Sequence, residues 1–235
     1  MRSILLVSSD SRPAFKAALA SEADGLAIDL AWTNEAQAEG ARKNAAAWIV
    51  EARARDKRCL ALVHPLGSGL ADRDLDAVMP AQPDGIILPE ACGGRDVQHL
   101  GAKLAVREAE CGLPDGSTHI LALAADTPAA IFELGSFARA TRRLIGLGRN
   151  ERALMERLGI FSAPGPRPEP LGVARALCLF AASAASAPGY DCAEPGEGED
   201  FVAACLQAAH DGFAGKFVLN AAQAKIVNAA FAKKG

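Results

Sequence analysis

Eight short runs rich in Ile, Leu and Val, each followed by a longer Ala-rich stretch of helical period, constrain this chain more than any other feature. The runs cover residues 3–7, 26–30, 59–63, 85–88, 119–123, 144–147, 190–192 and 216–219. Most are uniformly apolar rather than alternating, as parallel strands covered on both faces require. Helical period predicts helices over 13–22, 35–55, 75–79, 97–110, 128–141, 151–158, 171–187, 201–210 and 221–233. Several carry good start signals: Asp10 and Ser11 before Pro13, Thr127 before Pro128, and Asn150 before Glu151. Eight β-then-α rounds in 235 residues predict an α/β fold, a (β/α)8 TIM barrel forming a single domain over 1–235. An open doubly wound parallel sheet is the alternative.

The charge balance, 25 Lys and Arg against 28 Asp and Glu, leaves no electrostatic footprint for nucleic acid or for an anionic membrane surface. Residues 4–7 are too short an apolar core for a signal peptide, so the expected location is cytoplasmic. The small-apolar stretch 176–187 is too short to span a bilayer and reads as a buried helix. Cys59, Cys92, Cys111, Cys178, Cys192 and Cys205 show no metal-site spacing, which predicts free, mostly buried thiols in a reducing compartment. The one conspicuous loop is 163–170, with four prolines and a glycine.

Function in a barrel gathers at the carboxyl ends of the strands. Those positions here are Ser8, Ser9 and Asp10; Asp29, Ala31 and Trp32; His64 with Gly67 to Gly69; Glu90; Asp126; Gly148 and Arg149; Asp191; and Asn220. A P-loop, a G-x-S-x-G elbow and an H-E-x-x-H helix are all missing. Gly146-Leu147-Gly148 lacks the third glycine of a dinucleotide fingerprint and reads as a plain turn. The turn 65–69 (PLGSG) could cradle an anion with backbone N–H groups, or serve as a flexible connection.

Six pieces, in order, then resemble the HpcH/HpaI aldolase and citrate lyase beta-subunit superfamily. They are 2–7 (RSILLV), 23–30 (ADGLAIDL), 64–70 (HPLGSGL), 83–89 (PDGIILP), 126–136 (DTPAAIFELGS), and 212–216 (GFAGK) continuing through Gln223 and Asn228 to Phe231. The resemblance implies a (β/α)8 barrel that uses Mg2+ to stabilise an enolate while cleaving or forming a carbon-carbon bond on a CoA thioester or 2-oxo acid. It also implies a homo-oligomer, a trimer or hexamer, and a C-terminal lid for which residues up to Gly235 leave no room.

Position by position, much of the family's equipment is replaced. The acidic pair falls on Ala31 and Trp32, the substrate-anchoring arginine on Leu62, an asparagine on His64 and a lysine on Glu90. The first metal-ligating carboxylate falls on Asp126, shorter by a methylene, and the second near Ala153. The late His-Pro-Ala-Gln becomes Asn220-Ala-Ala-Gln223. The candidate catalytic residues are therefore His64, Arg149 and Asp191, with Gly67, Ser68, Gly69, Glu90 and Asn220 as substrate contacts and Asp126 as residual metal ligand. His64 could act as acid, base or new ligand, or be a satisfied histidine; Arg149 could anchor an anion. Glu90, Asp126 and Asp191 could gather as a new acidic cluster or serve singly as caps. Trp32 either fills the former pocket or packs under a loop. Two readings follow: a divergent lyase of this kind, acting on a small-molecule CoA ester or oxo acid, or a non-catalytic barrel that binds a related ligand or pairs with an active subunit.

Overall fold

The computed structural model describes residues 1–161 and 168–232. Most of the loop read over 163–170, and the chain end from 233, lie outside the described residues. Eight parallel strands form one sheet: β1 Ser3–Ser8, β2 Gly25–Asp29, β3 Cys59–Leu62, β4 Gly85–Leu88, β5 His119–Leu123, β6 Leu144–Gly148, β7 Tyr190–Asp191 and β8 Gly215–Val218. Their order, β6-β5-β4-β3-β2-β1-β8-β7, runs through the chain without the reversal an open doubly wound sheet needs. Closure between β6 and β7 rests on one bridge, Leu147 to Gly189, where the Leu147 N–H donates to the Pro188 carbonyl at 3.0 Å. The sheet is thus a nearly closed barrel, and the open-sheet alternative is set aside.

The helices are α1 Arg12–Ala20, α2 Glu35–Arg53, α3 Ala71–Val78, α4 Gly94–Glu110, α5 Pro128–Glu133, α6 Glu151–Leu158, α7 Glu169–Ala184, α8 Glu199–Asp211 and α9 Ala221–Phe231. The expected caps form: Ser11, Thr127 and Asn150 accept from the backbone N–H groups of Ala14, Ala130 and Ala153. The helix expected over 128–141 ends early at Glu133 and tightens into a 3-10 turn, Leu134–Phe137. No helix among the described residues is long and apolar enough to cross a membrane.

Side chains alternate across each strand, so both faces of these apolar runs are used. Ile4, Leu60, Ile87, Leu121, Tyr190 and Phe217 belong to the cluster filling the barrel interior. Their neighbours Leu5, Cys59, Ile86 and Ala122 pack outward against the helices. Two glycines read above as a turn are instead the inner face of β6. A Cβ on Gly146 would lie 2.5 Å from the Tyr190 ring, and one on Gly148 2.8 Å from the Phe217 ring. Their absent side chains make room for two aromatics, which meet edge to face with centroids 6.4 Å apart. The expected free thiols are observed: all six cysteines are unpaired and four are buried. The stretch read as a buried helix is correct only for one face of α7, because the barrel covers that face while Val173, Leu177 and Phe180 stand outward.

Candidate functional site

A cleft of about 420 Å3 opens beyond the ends of β3 and β4, between Pro65–Ser68 on one wall and Leu88–Glu90 with Asp96 on the other. That volume lies in the range of small-ligand pockets. Gly67, Ser68 and Glu90 line it, as the strand-end rule anticipates. The turn is partly self-satisfied: the Ser68 N–H donates to the Pro65 carbonyl at 3.0 Å, and the Ser68 hydroxyl accepts from the Leu70 N–H at 3.1 Å. Gly69 closes it at φ 75°, a left-handed conformation that suits glycine. Glu90 also sits in the left-handed region, at φ 53°, and its carboxylate accepts from Arg157 Nη2 of α6 at 2.6 Å.

Behind this wall lies Asp126, fully buried. Its Oδ1 accepts from the Asn150 N–H at 2.7 Å and its Oδ2 from the Glu90 N–H at 3.2 Å, so it ties the β4 loop to the β6 loop. Burial outweighs these two amides and pushes its pKa up to about 7. Asp29, at the end of β2, shows the same effect: burial raises it to about 6 although the Ala31 and Trp32 amides oppose the shift.

These donors do not fit Mg2+. The ion demands octahedral oxygen ligands, usually one or two carboxylates with several waters. Both Asp126 oxygens face backbone amides, the second ligand position falls near Ala153 by the resemblance, and Glu90 is held by Arg157. Among the described residues no group of three or more His, Cys, Asp and Glu side chains could hold a metal ion.

The three candidate catalytic residues do not meet at one place: Arg149 and Asp191 pair with each other, and His64 is committed elsewhere. His64 is buried, with Nδ1 2.6 Å from Asp74 Oδ2 and Nε2 2.9 Å from the Thr33 carbonyl oxygen. The same Asp74 accepts from the His64 N–H and from Arg42 Nε, both at 2.9 Å, so it pins the β3 end to α2 and α3. This is the satisfied histidine anticipated as the alternative to an acid, base or ligand. Asp191 and Arg149 lie on the outer side of the strands, because Tyr190 takes the inner position of β7. Arg149 Nε donates to Asp191 Oδ1 at 2.9 Å, and its Nη1 to Glu151 at 2.6 Å. Arg175 of α7 reaches Asp191 Oδ2 at 3.2 Å, and Lys216 Nζ lies 3.8 Å from it and 3.0 Å from Glu194. Burial alone would raise the Asp191 carboxyl, yet Arg149, Lys216 and Arg175 hold it far below the usual carboxylate range. The acidic cluster imagined for Glu90, Asp126 and Asp191 therefore does not form: the first two are neighbours at the mouth, and the third is an anchor between the sheet and its helices.

Asn220 is the N-cap of α9, accepting from the Gln223 N–H at 2.9 Å and donating to Glu197 at 2.8 Å. Gln223 is fully engaged with the Leu219, Glu194 and Gly196 backbones. Trp32 does not line the cleft; its indole N–H donates to the buried Ser9 hydroxyl at 3.3 Å and the ring stays 40% exposed. Sequence reasoning passed over Asp74 and Arg157, the partners that fix His64 and Glu90. Asp74 was detectable as an acid within the buried stripe of α3, alongside Ala71, Leu75 and Val78. Nothing local distinguishes Arg157 from Arg139, Arg142, Arg143 and Arg152, which precede it in the chain.

No family model matches the chain. It is 29% identical over 172 residues to the citrate lyase subunit beta of Haemophilus influenzae, covering 72% of this chain and 58% of that protein. With the Escherichia coli K12 subunit it shares 27% over 180 residues, 76% and 59% of the two lengths. The matches thus span somewhat under two thirds of these relatives. Among solved structures, the citrate lyase beta subunit of Mycobacterium tuberculosis superposes with a TM-score of 0.81 at 24% identity, covering 98% of this chain and 96% of the other. The same subunit complexed with oxaloacetate and magnesium gives 0.79 at 22%, covering 97% and 96%. RipC from Yersinia pestis gives 0.77 at 21%, covering 98% and 94%.

Proposed function

The chain belongs, as a distant member, to the citrate lyase beta-subunit family, and from that premise we propose that it is a barrel that binds a small oxo or acyl compound without metal-dependent lyase chemistry. The observation that carries this reading is the state of Asp126, whose two oxygens are both taken by backbone amides where the resemblance would put a metal ligand. The surroundings agree. Leu62 and Glu90 fall where the resemblance would put substrate-anchoring cations, and Arg157 is paired with Glu90. A carboxylate ligand would find no free positive side chain on the cleft walls formed by Pro65–Ser68, Leu88–Glu90 and Asp96. Contacts from Leu66, Leu88, the prolines and the turn amides suit an uncharged oxo or acyl group better.

The Mycobacterium tuberculosis structure with oxaloacetate and magnesium selects the probes for the test. Melting temperature is measured with Mg2+ or Mn2+, with and without oxaloacetate, acetoacetate and acetyl-CoA, each repeated with a chelator. The expected result is a ligand shift, from the acyl end of acetyl-CoA more than from the carboxylates acetoacetate and oxaloacetate, that the chelator leaves unchanged. A shift that requires metal and disappears in Asp126→Ala would overturn the proposal and restore the divergent lyase.

A further inference from the structure

His64 is buried just past the end of β3, and each of its ring nitrogens faces an oxygen that only accepts hydrogen bonds. Nδ1 lies 2.6 Å from Asp74 Oδ2, and Nε2 lies 2.9 Å from the Thr33 carbonyl oxygen. A neutral imidazole carries one N–H and one lone pair. It can satisfy either partner but not both, because the bare nitrogen would turn its lone pair toward an oxygen in a site closed to water. Asp74 supplies no proton of its own: its Oδ1 accepts from Arg42 Nε and its Oδ2 from the His64 N–H, both at 2.9 Å. Thr33 does not relieve the mismatch either. Its hydroxyl lies 3.5 Å from Nε2 and donates instead to the Leu30 carbonyl at 2.8 Å, so Thr33, His64 and Asp74 are not a nucleophile triad.

We propose that His64 is a latch worked by pH: with both ring nitrogens protonated it clamps the β2–α2 loop, residues 30–34, to Asp74 of α3, and loss of one proton frees that loop at the barrel mouth. Imidazole is the side chain that gives up a proton in the neutral range. The proton that leaves is the one on Nε2. Asp74, backed by Arg42 of α2, keeps the Nδ1 proton in a short charge-assisted bond, whereas the Thr33 carbonyl is neutral. The bared Nε2 lone pair then repels that carbonyl, and the loop loses its tie to the β3 end. The other charged group facing the ring is Asp29 at the end of β2, whose carboxylate accepts from the Ala31 N–H at 2.9 Å and is favoured in its ionised form by a charged His64. The loop carries its own reporter, Trp32, whose indole N–H donates to the Ser9 hydroxyl at 3.3 Å. The other tryptophan, Trp48, is buried on α2 and stacked on Phe15.

Two measurements on the full chain, from about pH 5.5 to about pH 8.5, test the latch. Nitrogen-15 NMR of the His64 ring is expected to show both nitrogens protonated at the acid end and Nδ1 alone protonated at the alkaline end. Trp32 emission is expected to move to longer wavelength across the same transition. That change should vanish in His64→Asn and in Trp32→Phe and persist in Asp29→Asn, which separates the ring's titration from that of its acidic neighbour. A ring whose proton count stays constant over this range, a neutral ring protonated on Nε2, or an emission change that is absent from wild type or survives in H64N would each overturn the proposal. Should H64N fail to fold, the wild-type ring decides alone. His64 is identified there as the histidine whose ring N–H groups are shielded from solvent, since His99, His119 and His210 are exposed.

Discussion

Asp126 and Asp191 lie at or just beyond the ends of two strands of one barrel, are buried to 1% and 3% exposure, and meet opposite surroundings. Asp126 sees two backbone amides and no adjacent cation; Asp191 is shared by Arg149, Arg175 and Lys216. Burial pushes both carboxyls up, and only the second has charges strong enough to reverse the effect. Hence one acid takes up a proton near neutrality while the other stays ionised at any working pH. The difference shows two uses of a buried carboxylate: Asp191 locks the sheet to its helices through charge, and Asp126 ties two loops at the mouth through backbone amides.

The harshest way to break the comparison is Asp191→Asn. Removing the shared carboxylate leaves three buried cations without their common partner, a loss of about 3–5 kcal/mol. For a domain of this size that lowers the melting temperature by on the order of 10 °C. A drop within the scatter of ordinary surface variants, measured by thermal melting at neutral pH, would show that the cations are satisfied without Asp191.

The second prediction reads the sign of the Asp126 shift. Its folded pKa, about 7, lies above the ordinary 3.8, so between these values the folded state binds the proton more tightly than the unfolded chain. Its stabilising contribution is full below about pH 4, declines as pH rises through about 7, and is flat above that. The stability of wild type relative to Asp126→Asn should therefore fall by a few kcal/mol between pH 4 and 8, read by denaturant unfolding at each pH. A gap that stays constant with pH would place the carboxyl in the ordinary range.

The gentlest probe is Arg157→Ala. Arg157 is the cation that modestly favours ionised Asp126 from beyond Glu90, and the side chains of its pair with Glu90 are 39% and 36% exposed. Stability should change by no more than about 1 kcal/mol, while the Asp126 pKa moves further up. Carboxyl chemical shifts followed by NMR would check this, and a downward move would contradict the assigned surroundings.

The strands and caps were legible because their signals are local. The predicted strand over 85–88 coincides with β4, and Ser11, Thr127 and Asn150 cap where they stand. Gly146 and Gly148 were misread as a turn because the rings that require them come from β7 and β8. At the mouth, the replacements at Ala31, Leu62 and Glu90 are visible as letters, whereas the engagement of His64 depends on Asp74 and Thr33, which no spacing rule connects to it.

By itself the sequence determined the eight β-then-α rounds, their apolar strands, their helix starts, and which strand-end positions carry ionisable groups. Periodicity and capping act over a few residues and leave their mark in the chain directly. Only the tertiary structure decided what those ionisable groups became. Asp126 is set by amides 24 residues ahead and 36 behind it, and Asp191 by a guanidinium 42 residues earlier. Burial and charge act through space, so identical residues at equivalent places in the barrel acquire opposite chemistry from the groups folding brings beside them.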